Sequence, residues 1–219
     1  MSDIHTRIEG RAGRITLTRP HALNALTWDM VREMDRALDE WVNDDRVDLV
    51  LIDAEGERAF GAGGDVVSLC KAAAEGDFDY ARGFWAFEYG VNAKIARYPK
   101  PYVAIMHGFV MGGGVGISAH GSHRIVTDST QLAMPECGIG LIPDVGGTKL
   151  LADAPGRVGE YLGLSGVRIG AADAIYAGFA DTYVPEGELG ALKARLAAPS
   201  VLVSLGGIAE MKGVSMDGG

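Results

Sequence analysis

The sequence predicts an α/β domain with at least partly parallel strands, and two observations carry that reading. Two continuous apolar runs, "VDLVLIDA" (47–54) and "PYVAIMHG" (101–108), have the character of strands buried on both faces. Stretches with helical periodicity separate the strand-like runs, and strands alternating with helices pair in parallel through crossovers. Glycine is in excess, 32 of 219 residues, about twice the usual share of roughly 7%. With no collagen-like period and no Gly/Ser linker, the excess belongs in tight turns and close backbone approaches.

The elements follow in order. "GRITLTRP" (13–20) alternates Ile15 and Leu17 with polar neighbours, as a half-exposed strand does. Thr27 is an expected N-cap with Asp29 in the first turn, and Val31, Met34, Leu38, Trp41 and Val42 then recur at helical spacing. The strand at 47–54 precedes a long helical stretch over 68–98. After the strand at 101–108 come a short helix opened by "MGGGVG", a strand "HRIVTD" (123–128) and a helix in "VGGTKLLADA" (145–154). One domain is expected over 1–197. The glycine-broken remainder, 198–219, is expected to be weakly structured.

Charge and composition narrow the function. A net charge of −9 argues against nucleic acid as the main partner and leaves room for a phosphorylated small ligand at helix N-termini. No apolar run reaches the roughly 18 residues of a membrane span. Cys70 and Cys137 form no CxxC, so a disulfide framework is not expected and a reducing compartment fits. The opening "MSDIHTRIEG" is unlike a signal peptide and too acidic for a transit peptide. A cytoplasmic protein is expected.

Chemistry concentrates in three segments. "AFGAGGD" (59–65) and "MGGGVG" (111–116) each follow a buried strand, where glycines let the backbone approach a ligand and leave N–H groups free. They are either plain tight turns or two loops that each aim one N–H at the same oxygen, as in an oxyanion hole. "MPECGIGLIPDVGG" (134–147) sets Glu136 and Asp144, each beside a proline, in an apolar segment without a neutralising cation. Those acids are caps or they line a site, and the capping alternative is stronger for Asp144 than for Glu136, because Asp144 lies just ahead of a helix. "GVGISA" (114–119) has the letters of a dinucleotide fingerprint, but the next strand starts at about His123, too soon for the helix and acid that motif requires. His120 and His123 lack a third ligand at recognisable spacing, so no metal is expected. Cys137 reads as a small core residue. Neither a G-x-S-x-G elbow nor a P-loop is present.

These segments resemble the enoyl-CoA hydratase/isomerase (crotonase) superfamily, most of all its 3-hydroxyisobutyryl-CoA hydrolase branch. "AFGAGGD", "KPYVAIMHGFVMGGG" and "MPECGIGLIPDVGG" carry the resemblance, with "RPHALNAL" and "GEYLGLSGVRIGAADAIYAGFADTYV" extending it from about Arg14 to about Ala197. It implies a spiral of ββα units, C-terminally short because that branch continues beyond the end of this sequence, and assembly as a trimer or hexamer. It implies a thioester carbonyl held by the N–H groups of Gly64 and Gly113. Hydratases of the superfamily carry a glutamate two residues after "GGG", where Gly116 stands here, and a second one matched by Glu136. Asp144 falls where they usually have glycine. The hydrolase branch shares the pattern of this chain, which makes Glu136 and Asp144 the catalytic candidates. Glu88 in "EYGVN" is implied to meet the hydroxyl end of the substrate, with Ala62, Asp65 and Gly112 as further substrate-binding candidates. The implied activity is hydrolysis of a small β-hydroxyacyl-CoA, as in valine breakdown, with coenzyme A as part of the substrate and no other cofactor. A hydratase or isomerase of the superfamily, or a non-catalytic acyl-CoA binding or assembly subunit, is the alternative.

Overall fold

The computed structural model describes residues 2–198. The first strands, β1 (Ile4–Glu9) and β2 (Ala12–Leu17), form an antiparallel hairpin. Helix α1 (Trp28–Trp41) then returns the chain to β3 (Leu49–Ala54), parallel to β2. From there one step repeats three times. β3 runs into β4 (Ala59–Gly61), β5 (Tyr102–Met106) into β6 (Phe109–Met111), and β7 (His123–Val126) into β8 (Gln131–Ala133). The first strand of each pair joins a six-stranded sheet of order β1-β2-β3-β5-β7-β9, with β9 at Thr182–Tyr183, and the second joins a three-stranded sheet β4-β6-β8. Every pairing between these strands after the hairpin is parallel. The helices α2 (Val66–Ala74) and α3 (Phe78–Ala96) follow β4, the short α4 (Gly113–Gly116) follows β6, and α5 (Gly147–Asp153) comes after β8. This is the expected α/β spiral of ββα units.

Local chemistry explains the elements. Thr27 caps α1, its hydroxyl accepting from Met30 N–H at 3.3 Å, and the helix buries Met30, Val31, Met34, Leu38 and Trp41 against the sheet. The stretch expected as one helix over 68–98 is two. Gly76 at φ +83 ends the first, and Asp77 caps the second by accepting from Tyr80 N–H at 3.0 Å. Strands β4, β6 and β8 have three residues each, too few for a period-2 pattern. β1 is largely polar, with Ile4 as its buried residue. Two more helices, α6 (Val158–Ser165) and α7 (Ala171–Tyr176), lead to β9, and α8 (Leu189–Ala197) closes the described chain. Lys193 of α8 reaches the buried Asp53 at 2.7 Å, where Arg14 (2.7 Å) and Thr16 (2.8 Å) also donate. Burial works against that carboxylate's charge, but Arg14 and Lys193 outweigh it and hold its pKa below the usual range. The tail expected to be weakly structured lies, from residue 199 on, outside the described residues. Among the described residues no helix is long and apolar enough to cross a membrane.

The small sheet positions the site. Its three parallel strands end side by side and release three loops at one edge: 62–65, 112–113 and 134–136. The first two are pressed together, since a methyl group added at Gly114 would lie 2.2 Å from Gly61 O. Fully buried Asn24 holds the chain leading into the first, its Nδ2 donating to Ala59 O (2.8 Å) and Glu55 O (3.0 Å) while Oδ1 accepts from Arg19 N–H (2.8 Å). We therefore expect Gly114→Ala to destabilise the fold by about 1–3 kcal/mol, the usual range for overpacking a filled interior. Urea denaturation measures this, and an unchanged midpoint would mean the two loops can separate freely.

Candidate active site

Over this edge opens a cavity of about 630 Å³, lined by Ala62, Gly63, Gly64, Gly112 and Gly113 from the two glycine loops and by Glu88, Glu136 and Asp144. Val66, Leu69, Phe78, Trp85, Ile139 and Leu141 supply apolar walls, and Arg82 is the cation in the lining.

Backbone geometry leaves two donors here. Leu26 N–H donates to Gly63 O (2.8 Å) and Asp65 N–H to Leu26 O (2.9 Å), so Gly64 sits between them in a parallel bridge. A residue bracketed in that way turns its own N–H to the other side. Gly113 opens α4, where an N–H has no partner within the helix. Neither N–H is used in the turn and loop hydrogen bonds of the described residues. The two positions adjoin: a methyl group on Gly113 would fall 3.2 Å from Gly64 N.

The carboxylates lean on the same backbone. Methyl groups at Gly112 and Gly113 would meet Glu136 Oε1 at 2.9 Å and Glu88 Oε1 at 2.6 Å. Glycine at both positions is what admits the acids. Glu88 is 2% exposed, and its Oε1 has no hydrogen-bond partner; Glu136 is 6% exposed with Oε2 in the same condition. Burial, with the charge of Asp144 adding to it, pushes Glu88 up to about 8. Glu136 is pushed up to about 7, burial and Asp144 prevailing over its own backbone N–H. Asp144 does not cap α5, whose N-cap is Gly146 without a side-chain bond. Its Oδ2 accepts from Tyr89 OH at 2.7 Å instead.

Of the expected site residues, Ala62, Gly64, Glu88, Gly112, Gly113, Glu136 and Asp144 come together around the cavity, and Asp65 does not. Its carboxylate accepts from Ser68 N–H at 3.4 Å as the cap of α2 and pairs with Arg19 at 3.0 Å. A carboxylate at a helix N-terminus is taken up by the free N–H groups there, so the Asp65 side chain is engaged in holding the fold. Sequence reasoning missed Tyr89, although it adjoins Glu88 in the quoted "EYGVN". Cys137 is half-buried beside a second, apolar cavity that includes Ile142, Leu151 and Leu164, and it is not in the site. At Gly116 a methyl group would lie 2.7 Å from Val145 Cβ and 2.9 Å from Asn92 Nδ2, so the space a side chain would need is filled.

The family model for enoyl-CoA hydratase/isomerase matches residues 12–210. The chain belongs to this family. The mitochondrial 3-hydroxyisobutyryl-CoA hydrolase of Danio rerio is 44% identical over 184 residues, which cover 84% of this chain and 48% of that protein. Small ribosomal subunit protein mS47 of Neurospora crassa is 43% identical over 84% of this chain and 36% of its own. An enoyl-CoA hydratase from Rhodobacter sphaeroides superimposes with a TM-score of 0.88 at 57% identity, covering 90% of this chain and 58% of that one. This chain thus spans about half the length of the curated relatives it matches. The comparison corrects the cytoplasmic expectation, because the hydrolase relatives from Danio rerio and Gallus gallus are mitochondrial proteins.

Glu88 gives a test independent of any reaction. Its folded pKa, about 8, exceeds the ordinary 4.5, so the stability it contributes is present below 4.5 and lost as pH rises through about 8. Glu136 adds a dependence of the same sign. Glu88→Gln should therefore be more stable than the parent at pH 8.5 by on the order of a few kcal/mol, with the gap closing toward pH 4.5. Thermal denaturation across that range reads it, and a gap that stays constant would mean Glu88 titrates normally.

Proposed function

We propose that this chain carries the acyl-CoA site of a thioester hydrolase acting on a small β-hydroxyacyl-CoA, with 3-hydroxyisobutyryl-CoA as the substrate. The observation that carries the reading is the convergence of Glu136 and Asp144 on one cavity beside the free N–H groups of Gly64 and Gly113. In this reading those two N–H groups are the oxyanion hole, where preorganised donors act on a developing anion at little reorganisation cost. Ionised Glu136 either attacks the carbonyl carbon, expelling the CoA thiolate and leaving an anhydride that water opens, or takes a proton from a water that attacks in its place. Asp144, held by Tyr89, manages the proton that the leaving thiolate takes up. Glu88, largely protonated below pH 8, is suited to donate a hydrogen bond to the substrate's hydroxyl end. Coenzyme A enters as part of the substrate, and the protein is a homo-oligomer in this reading.

Hydration of a double bond asks for two carboxyl groups, one to deliver water to the β-carbon and one to manage the α-proton. Gly116 has no side chain, and the filled space around it supports hydrolysis over hydration. Two other readings have particular support. The Rhodobacter sphaeroides neighbour is named a hydratase, and the mS47 relative belongs to a ribosomal subunit, which favours a non-catalytic role. One pair of assays separates all three. Free thiol is followed with 3-hydroxyisobutyryl-CoA, and loss of the enoyl chromophore with crotonyl-CoA. We expect thiol release and little hydration, with kcat/KM rising as pH passes through about 7, where Glu136 ionises. Glu136→Gln should abolish release, and Asp144→Asn should slow it about 10²-fold, within the range for a lost acid–base group. Rapid hydration without thiol release would move the assignment to a hydratase, and tight binding of both esters without turnover would favour the non-catalytic role.

A further inference from the structure

The segment that bears Asp144 is held by contacts the proposed chemistry does not use. Its neighbour Val145 is buried and sits at φ +48, a left-handed conformation that a β-branched residue adopts only when its surroundings impose it. Two contacts impose it. His120 Nε2 lies 2.7 Å from Val145 O, and since a carbonyl oxygen only accepts, Nε2 carries the hydrogen and donates. On the other side, the Val145 side chain fills the notch left by Gly116, where a methyl group would come within 2.7 Å of its Cβ. His120 also packs over the next residue, as a methyl at Gly146 would fall 2.7 Å from the same nitrogen. Gly147 N–H donates to Asp144 O at 2.6 Å, closing the turn, and the carboxylate of Asp144 is left facing Tyr89 and the cavity.

We propose that His120 and the Gly116 notch form a latch that holds Val145 left-handed and thereby aims Asp144 into the cavity. His120 does not line the cavity, so it is a positioning residue that acts through Asp144. The inference rests on the reading of Asp144 as the proton-managing group. It is tested by a double-mutant cycle on thiol release from 3-hydroxyisobutyryl-CoA. His120→Leu should lower kcat at least about tenfold with KM within about twofold, and His120→Gln, which keeps an N–H donor, should recover most of the loss. In the Asp144→Asn background His120→Leu should change kcat less than about twofold, because residues acting as one unit are not additive. Gly116→Ala pushes Val145 from the opposite side and should show the same non-additivity, which keeps the test alive if His120→Leu does not fold. Equal losses in both backgrounds would overturn the latch. Crystal structures of His120→Gln and Gly116→Ala decide the matter even without turnover. The Tyr89–Asp144 bond should persist in the first and be broken in the second, and its persistence in both would overturn the latch. A parent protein that releases no thiol would sink the hydrolase reading alone, leaving that structural comparison to judge the latch.

Discussion

Backbone touching backbone is the contact on which the rest of this structure depends. Gly61 and Gly114 approach so closely that Gly114 has no room for a Cβ and Gly61 has little, and this contact brings the loop after β4 against the start of α4. The Gly64 and Gly113 N–H groups adjoin for that reason. Buried Asn24 braces the chain just ahead of that contact by spending its whole amide on backbone partners of the neighbouring segments. Asp65 and Arg19 brace the same loop, so acids and bases that look functional in a linear reading are in part scaffolding for two glycines.

The site is then an electrostatic consequence of apolar walls. Glu88 and Glu136 sit where water is scarce, each with an oxygen that no protein group satisfies, and both resist ionisation. Asp144 keeps a hydrogen-bond donor in Tyr89. Glu136 and Glu88 are pushed up to different extents, an arrangement that lets one group act as base while the other still holds a proton.

Much of this was legible in the sequence, for definite reasons. The apolar runs at 47–54 and 101–108 and the capped helix after Thr27 announce themselves by period and composition. The two glycine loops and the acids at 136 and 144 stood out because each violated what a solvated loop or a plain core segment contains. Strands β4, β6 and β8 were not legible, since three residues make no period. Nor was the break at Gly76, because flanking residues of high helix propensity mask a single glycine. Asp65 could not be placed from the sequence, because a carboxylate beside a glycine loop looks the same there whether it meets a ligand or a helix end. The left-handed Val145 left no sign at all, since no rule of local preference would put valine there.

The two-sheet spiral also bears on how such a chain can change. The three loops around the cavity leave strands that are adjacent in one parallel sheet, so their separation is the ladder spacing of roughly 4.8 Å and owes little to the side chains nearby. A frame ruled by hydrogen-bond spacing holds its dimensions while side chains around it are exchanged. Divergence within this architecture is therefore paced by the packing at each glycine, since an acid at position 116 has to displace Val145 and Asn92 while the strands beneath keep their spacing.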